Sequence, residues 1–256
     1  MNRINKSEIG MPAERQKISE FHRLGFVRVG ELIPHERLKE FRQIFDDALD
    51  SARQYSRLQT LRQQPADQCT VLQFEDFHTY DRRLDALVRN SKVTDMIHGI
   101  LGDRIRMLFS QAIQKPAYHS GVIDWHQDDF FFDSSHNKAV ASAWITLDDA
   151  TKESGCLWMI AGQHKNKLSH VQKGKGGLAI DTIDEEQSIA VELKAGHFLI
   201  HHGLAPHRSL PNFSCHPRRA LVAHFMDAGA EARGENYRGR SDCLSPVIER
   251  SNENGI

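Results

Sequence analysis

Cysteine is scarce in this chain, and neither sign of charge is in excess. The four cysteines, at positions 69, 156, 215 and 243, are widely spaced and form no Cys-x-x-Cys pair, which argues against a zinc-finger signature and a secreted disulfide framework. We therefore expect free thiols in a reducing compartment. With 33 basic and 34 acidic residues the formal net charge is −1, so no basic field exists to attract nucleic acid.

Long apolar runs are also missing. The mean hydropathy of −0.52 is too polar for a membrane protein. Residues 1–9 are polar, which predicts no signal peptide, and residues 252–256 do not match the Ser-Lys-Leu type of peroxisomal address. We expect a cytoplasmic protein with no membrane partner; its oligomeric state does not follow from the sequence.

Helical patterns come first along the chain. Residues 14–24 predict a helix ended by Gly25, and residues 26–29 predict a strand with alternating faces. Pro34 suits the first turn of a long helix whose apolar residues recur at intervals of three and four. Residues 81–101 predict one or two further helices.

From residue 104 onward the pattern changes to short apolar runs separated by turn residues. The runs cover residues 105–113, 139–147, 156–160, 189–193, 198–201 and 220–226. Helices followed by many short strands favour an α+β fold in which the strands form a sandwich. No repeat or low-complexity linker interrupts the chain, so we interpret residues 1–256 as one domain, with a core over approximately 104–228 and a polar tail over 229–256.

Three polar stretches do not resemble core strand. Residues 163–184 contain a Lys/Gly run at 173–177 that lacks the Gly-x-x-x-x-Gly-Lys-Ser/Thr pattern of a phosphate loop. We predict a mobile loop over a pocket mouth there. Residues 51–76 form a second candidate lid, and the tail from 229 is the third polar stretch.

The most informative segment is residues 125–132, WHQDDFFF. This run has the character of a strand, in which side chains alternate faces, so His126 and Asp128 would point the same way. A third ligand would complete the two-histidine, one-carboxylate set that holds Fe(II) with open coordination positions. His207, at the turn after the apolar run 198–201, is the best candidate. For the pair alone, a surface histidine beside solvated aspartates is the alternative.

Two arginines, Arg218 and Arg219, open the apolar run 220–226, so one of them would point into the core. An inward arginine needs an anionic partner, because an unpaired buried charge is costly. A dicarboxylic cosubstrate would supply one: its oxo-acid end can chelate a metal while its far carboxylate takes the planar guanidinium bidentately. This combination points to 2-oxoglutarate.

At these residues the chain resembles the phytanoyl-CoA dioxygenase (PhyH-like) family of Fe(II)/2-oxoglutarate oxygenases, over most of residues 15–228. The resemblance is carried by HQD at 126–128, AWITLDDAT at 143–151, ESGCLW at 153–158 with GQHK at 162–165, and His207-x-Ser209-x-x-Asn212-x-Ser214 with Arg218. It implies a double-stranded β-helix, or jelly roll, flanked by N-terminal helices. One departure is Ala-Gly-Gln-His at 161–164, where the family commonly has Pro-Gly-Ser-His; this difference bears on loop shape.

The resemblance also implies roles for individual residues. His126, Asp128 and His207 would bind iron, and Arg218 would bind the distal carboxylate of 2-oxoglutarate, while Arg219 matches the adjacent, non-ligating position. Three further residues occupy the places of accessory cosubstrate residues: Lys115, Trp144 and Ser209. Lys115 could equally be a solvated strand-end lysine, and Trp144 simply a core aromatic.

The implied activity is oxidation of an unactivated C–H bond with Fe(II), 2-oxoglutarate and O2, releasing succinate and CO2. Related halogenases have a small residue in place of the carboxylate, so the retained Asp128 favours hydroxylation; desaturation, ring closure and epimerisation stay open. The family spans acyl-CoA thioesters, compatible solutes, phosphonates and specialised metabolites. We expect a small-molecule substrate of the last kind.

Two other function classes compete with this one. A non-catalytic jelly-roll binding or sensing module would be expected to lose at least one of the site residues, and this chain keeps them. A metalloenzyme of the same fold using zinc or manganese without 2-oxoglutarate would have no need for Arg218.

The other histidines are expected to stay out of the metal site. His201 and His202 would face opposite ways on a strand and cannot both bind one metal. A His-rich zinc site is a minor alternative. Five further histidines are expected to be structural or exposed: His164, His170, His197, His216 and His224.

Overall fold

The computed structural model describes residues 12–54, 58–61, 71–119, 121–173, 177–235, 237 and 246–250. Its helices are α1 (Ala13–Leu24), α2 (Leu38–Gln54), α3 (Arg82–Val88), α4 (Ser91–Leu101) and the short α5 (Asp128–Phe132). Its strands are β1 (Phe26–Glu31), β2 (Leu58–Leu61), β3 (Val71–Glu75), β4 (Arg104–Lys115), β5 (Ile123–His126), β6 (Val140–Thr146), β7 (Leu157–Ile160), β8 (His170–Lys173), β9 (Gly177–Ile180), β10 (Ser188–Val191), β11 (His197–His202), β12 (His207–Ser209), β13 (Arg218–Asp227) and β14 (Ile248–Glu249).

The N-terminal helices form where the sequence predicts them. α1 ends at Gly25, which has φ +85° and donates its N–H to Phe21 O, a left-handed C-cap that glycine adopts without strain. α2 buries a stripe of apolar side chains repeating at three and four residues. A 3-10 turn, His35–Arg37, lies between Pro34 and α2, so Pro34 precedes that turn and not the α-helix itself.

Two antiparallel sheets make up the body of the fold. The eight-stranded sheet has the order β1-β11-β6-β13-β4-β3-β2, with β14 also paired to β4. The four-stranded sheet has the order β10-β7-β12-β5, and β8 and β9 form a separate hairpin. This arrangement, with helices against one face, confirms the α+β prediction and the double-stranded β-helix, or jelly roll.

β13 shows how the core is divided between two faces of the larger sheet. Leu221 and Ala223 belong to the apolar cluster under the helices. Ala220 and Val222, one step out of phase, belong to the cluster shared with the four-stranded sheet. Since successive strand residues point to opposite faces, this strand is buried on both sides and appears in the sequence as a continuous apolar run.

The described strands extend beyond the range 104–228 that the sequence suggests for the core. β1, β2 and β3 precede it and belong to the eight-stranded sheet. The candidate lid at 51–76 therefore contains the end of α2, the edge strand β2 and its neighbour β3, with residues 55–57 and 62–70 outside the described part. The polar tail from 229 likewise supplies β14, in which Ile248 pairs with Ile105.

Two further predictions are checked by the described residues. Cys156 is a buried free thiol and Cys215 an exposed one, as expected; positions 69 and 243 lie outside the described part. The terminal stretches 1–9 and 252–256 also lie outside it.

Across the described ranges, no helix has both the length and the apolar character that crossing a membrane requires.

Candidate active site

Three potential metal ligands converge between the two sheets. His126 ends β5 and His207 begins β12; the two residues are direct cross-strand partners, with ring centroids 4.1 Å apart. Asp128 Oδ1 lies 3.6 Å from Nε2 of each histidine. The three ligand atoms lie within 4.8 Å of one another, which is the spacing of a shared metal ion.

The local backbone corrects one part of the sequence prediction. The strand ends at His126, and Asp128 begins α5, so residues 125–132 are not one strand. Gln127 is still extended, with φ −117° and ψ 129°, and this keeps His126 and Asp128 on the same side. The chain then bends because Asp129 N–H donates to Gly203 O at 2.9 Å. Three consecutive phenylalanines have high strand propensity, but this tertiary contact decides the conformation.

Backbone carbonyls fix the tautomer of both histidine ligands. Nδ1 of His126 lies 2.8 Å from Asp124 O, and Nδ1 of His207 lies 3.0 Å from Ala205 O. A carbonyl only accepts, so each Nδ1 carries the hydrogen and each Nε2 lone pair faces the site. Such outer hydrogen bonds orient metal-binding imidazoles.

The electrostatics of the site suit a cation. Burial raises the pKa of the Asp128 carboxyl, but the imidazoles of His207 and His126 outweigh that effect and hold it well below its usual range. Burial and the neighbouring His126 set the pKa of His207 well below the ordinary histidine value. At neutral pH the Asp128 carboxylate is therefore ionised and the His207 imidazole neutral, the forms that bind a metal. Burial lowers the pKa of His126, but the hydrogen bond and charge of Asp128 outweigh burial and raise it, so a metal ion at this site would compete with a proton for that ring.

A second set of polar side chains faces the outer oxygen of Asp128. Ser142 Oγ lies 3.2 Å from Asp128 Oδ2, His224 Nδ1 lies 3.5 Å from it, and His201 Nε2 lies 3.7 Å from it. The sequence prediction missed this set, and His224 is buried beside the site. A signal was available, because His224 lies six residues after Arg218 on one strand and therefore shares its face.

His201 and His202 do face opposite ways, as predicted. The His202 ring lies 5.1 Å from the His164 ring, away from the metal ligands. Its Nδ1 accepts a hydrogen bond from Leu204 N at 3.0 Å. Burial lowers the pKa of His202 to about 3, so the ring is neutral.

Arg218 is the arginine that points inward. Its side chain is 1% exposed, and neither Nε nor Nη1 has a hydrogen-bond partner among the described residues. The guanidinium carbon lies 5.4 Å from the centre of the Trp144 ring. Burial lowers the pKa of Arg218 to about 10, which leaves it charged at neutral pH. Arg219 faces the other way, where its Nε and Nη2 donate hydrogen bonds to the Asp46 carboxylate at 2.9 and 3.0 Å.

Ser209 supplies a second buried polar atom without a partner. It lies two residues past His207 on β12, is 1% exposed, and its Oγ makes no hydrogen bond within the described part of the chain. Buried donors of this kind are costly unless something accepts from them. Each of these two side chains, Arg218 and Ser209, could therefore donate to an acceptor oxygen of a bound anion. Trp144 packs against the arginine and is buried.

Lys115 is not the solvated strand-end lysine that was one alternative. It is 1% exposed, and its Nζ donates to the carbonyls of Gly121, Ser209 and Leu210 at 2.5–2.9 Å. An ammonium has three hydrogens to donate. These contacts give Lys115 a structural task, holding the segment that follows β12; a direct contact with a cosubstrate stays a prediction.

Gln127, between the two ligands, ties a neighbouring hairpin to the site. Its side chain is fully buried; Nε2 donates to Leu204 O at 2.7 Å, and Oε1 accepts from Leu168 N at 2.7 Å. Its backbone N–H donates to His170 Nε2 at 3.2 Å, and the His170 ring stacks on Phe130 at 4.0 Å. The segment 163–184, predicted as a loop, thus contains the β8–β9 hairpin, and Gln127 holds the base of that hairpin against the site. Residues 174–176 lie outside the described part.

Exposed aromatic rings lie beside the ligands. Phe130 and Phe131 in α5 are 37% and 39% exposed. The Phe131 ring lies 6.3 Å from the His126 ring. Large exposed apolar side chains next to a polar site are typical of ligand-binding surfaces.

Comparison with known families agrees with this geometry. A family model described as phytanoyl-CoA dioxygenase (PhyH) matches residues 21–220. The chain belongs to the PhyH family. Among curated members, this PhyH chain is 27% identical over 176 residues to a phytanoyl-CoA dioxygenase of Arabidopsis thaliana, and 30% identical over 165 residues to phytanoyl-CoA dioxygenase 1 of Oryza sativa subsp. japonica.

Those two matches cover 66% and 62% of the PhyH chain described here, but only 62% and 58% of the plant proteins. A longer match joins it to a probable alpha-ketoglutarate-dependent hypophosphite dioxygenase of Stutzerimonas stutzeri. That match is 27% identical over 234 residues and covers 86% of the chain and 80% of the relative.

Solved structures show the same fold for this PhyH protein. The epimerase SnoN, in complex with Fe3+, alpha ketoglutarate and nogalamycin RO, superposes with a TM-score of 0.73 at 20% identity, covering 86% of each chain. The carbocyclase SnoK from nogalamycin biosynthesis superposes with a TM-score of 0.72 at 19% identity, covering 98% of each chain.

Proposed function

We propose that this protein is an Fe(II)- and 2-oxoglutarate-dependent dioxygenase that hydroxylates an unactivated C–H bond of a small molecule. The observation that carries the proposal is the combination of three convergent ligand atoms with a buried, inward-facing arginine whose Nε and Nη1 have no hydrogen-bond partner among the described residues. A metal site alone would leave the Arg218 guanidinium unexplained. A dicarboxylic cosubstrate accounts for both features.

The metal would be held by His126, Asp128 and His207. Each histidine presents Nε2, and the carboxylate presents Oδ1. Three ligands on one side leave the remaining coordination positions open for other oxygen donors, the arrangement typical of non-haem Fe(II) oxygenases. The Nδ1 hydrogen bonds of both histidines hold the rings in place before any metal binds.

The distal carboxylate of 2-oxoglutarate would be held by Arg218 and Ser209. The planar guanidinium can donate from the two nitrogens of one edge, such as Nη1 with Nη2, to two carboxylate oxygens, and Ser209 Oγ can donate to one of them. Trp144 keeps the guanidinium in position by packing against it. Lys115 acts on this pocket through the carbonyl of Ser209, which accepts from its Nζ at 2.9 Å.

Bound iron, with 2-oxoglutarate and O2, supplies an oxidant strong enough for C–H cleavage while the cosubstrate becomes succinate and CO2. The protein determines which carbon is oxidised, by orienting the substrate and excluding water. The retained Asp128 supports hydroxylation over halogenation. The two structural relatives named above are an epimerase and a carbocyclase. Oxygenases of this fold therefore reach more than one outcome, and hydroxylation is the one we propose for this protein.

The substrate we propose is a specialised metabolite with an apolar face. Phe130 and Phe131 are exposed beside His126 and would lie against such a face. Aromatic rings that lose solvent exposure on binding contribute strongly to affinity. The SnoN structure contains nogalamycin RO, a ligand of that relative which agrees in kind with this choice.

Calorimetry with a redox-inert stand-in for iron tests the proposal. 2-Oxoglutarate titrated into Mn(II)-loaded protein is expected to bind once per chain, with much weaker binding to metal-free protein, because one end of the cosubstrate needs the metal. Equal binding with and without metal would contradict the chelate. Succinate formation during a screen of candidate metabolites then distinguishes an oxygenase from a non-catalytic binding module.

A further inference from the structure

A row of polar side chains crosses the eight-stranded sheet on the face that packs against the four-stranded sheet. The row ends at the carboxylate of Asp128. Its members lie on four neighbouring strands: Ser142 on β6, His224 on β13, Gln111 on β4 and Gln73 on β3. Ser142 and His224 are direct cross-strand partners and are both buried. We call these four residues the Asp128 chain.

Each member is in hydrogen-bonding contact with the next. Ser142 Oγ lies 3.2 Å from Asp128 Oδ2 and 2.7 Å from His224 Nδ1. On the other side of the imidazole, His224 Nε2 lies 3.3 Å from Gln111 Nε2. Gln73 Nε2 donates to Gln111 Oε1. The contacts therefore continue without a gap from the Asp128 carboxylate, across β6, β13 and β4, to Gln73 on β3.

The chemistry of the donors and acceptors fixes one direction of hydrogen-bond donation along the Asp128 chain. An ionised carboxylate only accepts, so the one hydroxyl hydrogen of Ser142 goes to Asp128 Oδ2. Ser142 must then accept from His224, which requires the hydrogen on Nδ1. His224 Nε2 is left as an acceptor, and the amide group of Gln111 donates to it.

The two oxygens of Asp128 consequently have different surroundings. Oδ1 lies 3.6 Å from Nε2 of both histidine ligands, while Oδ2 faces the hydroxyl of Ser142 and the ring of His224. An oxygen that already accepts a hydrogen bond is a weaker metal ligand than its free neighbour. A carboxylate bound through Oδ1 alone leaves one more coordination position open than a bidentate carboxylate does.

We propose that Ser142 and His224 are positioning residues that hold Asp128 as a one-oxygen ligand, and that Gln111 sets the tautomer of His224 on which this depends. The metal part of this inference rests on the proposed iron site. The tautomer part concerns the protein without metal. The two parts can therefore fail separately.

The tautomer is tested on metal-free protein by nitrogen-15 NMR of the histidine side chains. His224 is expected to carry its hydrogen on Nδ1, whereas free histidine in water favours Nε2. Gln111→Leu removes the donor to Nε2 and is expected to shift His224 towards the other tautomer. A wild-type ring with its hydrogen on Nε2 would mean that Ser142 donates to His224 and not to Asp128, and the proposal would be wrong.

The positioning role is tested by Mn(II) affinity, measured by calorimetry. Ser142→Ala is expected to weaken Mn(II) binding about 10- to 100-fold, the range found for outer hydrogen bonds to metal ligands. Ser142→Thr keeps the hydroxyl and is expected to restore most of the affinity. Equal affinity in the alanine and wild-type proteins would contradict the role.

A matched control lies on the opposite face of the same sheet. Ser110, next to Gln111 on β4, is fully buried, and its Oγ lies 2.7 Å from Nδ1 of His78. Ser110→Ala removes the same kind of serine–histidine contact without touching the metal ligands. Its Mn(II) affinity is expected to stay within about twofold of wild type. Comparable losses in Ser110→Ala and Ser142→Ala would show a general packing effect and would overturn the proposal.

The outcomes also separate this inference from the proposed function. Wild-type protein that binds no Mn(II) would contradict the metal site itself, whatever the NMR result. Wild-type protein that binds Mn(II) and chelates 2-oxoglutarate, with Ser142→Ala unchanged, would contradict the positioning role and leave the oxygenase proposal standing.

Discussion

At the scale of single residues, two neighbouring arginines have opposite tasks. Arg218 faces the interior with unpaired donors, while Arg219 is held on the other face of β13 by Asp46 and Asp148. Both are large, cationic and adjacent in sequence. Substituting each in turn therefore separates cosubstrate binding from general destabilisation.

We expect Arg218→Ala to weaken 2-oxoglutarate binding about 10- to 100-fold while leaving Mn(II) affinity largely intact, because a charged hydrogen-bonding partner contributes about 1.5–3 kcal/mol. Calorimetric titration of metal-loaded protein measures this. Arg219→Ala, the matched control, should cost stability and leave cosubstrate affinity nearly unchanged. Unchanged cosubstrate affinity in Arg218→Ala would contradict the assignment.

The buried, neutral His202 makes a second prediction, on pH. Its pKa of about 3 lies below that of a histidine in the unfolded chain, so between these values the unfolded state binds more protons and stability falls as pH falls. Protonation also removes the acceptor that Leu204 N–H uses. From pH 7 to pH 5 this residue alone should cost about 2 kcal/mol.

Urea unfolding at the two pH values measures that loss. His202→Gln is expected to reduce the loss of stability between pH 7 and pH 5, and the other buried neutral histidines account for what remains. His35→Gln, at an exposed position, is the control. A wild-type protein whose stability does not change between pH 7 and pH 5 would show that His202 is not buried in its neutral form.

At the scale of elements, the β8–β9 hairpin and the proposed metal ligands are connected through Gln127. We expect Gln127→Ala to free the base of the hairpin, because the N–H of Leu168 and the carbonyl of Leu204 lose their buried partner. Each such group left unsatisfied costs about 1–3 kcal/mol. Hydrogen exchange followed by mass spectrometry should show faster exchange around Leu168, with little change in α2, and exchange that matched wild type would rule out this connection.

The elements also show how far the sequence alone leads. Periodicity found α1, α2 and the buried strands because their apolar residues alternate or recur against a core. It missed the bend after His126, since residues 125–132 carry strand propensity and the bend depends on a contact with distant Gly203. It also treated the segments around β3 and β14 as lids or tails, because these strands are short and lie in polar stretches, so no apolar periodicity marks them.

The candidate site could be predicted only in part, because local sequence patterns reveal some of its residues and contacts between distant strands determine the others. The proposed metal ligands and Arg218 follow a spacing in the sequence that the family shares. Ser142 and His224 do not, because their role depends on which strands become neighbours. That pairing is a property of the sheet and not of any local run of residues.

At the scale of the whole molecule, the proposed metal site joins the two sheets. His126 and His207 come from the four-stranded sheet, while Ser142 and His224 approach Asp128 from the eight-stranded one. A ligand that binds only the folded state stabilises it by mass action. Mn(II) at 100 times its Kd should therefore raise the free energy of unfolding by about 2.7 kcal/mol.

Denaturant unfolding with and without Mn(II) checks this, with His207→Ala as the control in which the increment should largely disappear. An equal increment in wild type and His207→Ala would place the stabilising metal somewhere else on the protein.

The central claim is that His126, Asp128 and His207 hold iron in a form that 2-oxoglutarate chelates. The most direct measurement is an anaerobic titration of metal-free protein with Fe(II) and then 2-oxoglutarate, following the weak visible charge-transfer band of the chelate. We predict a band in the wild type that is lost in His207→Ala. Bound iron with no band after 2-oxoglutarate is added would contradict the claim.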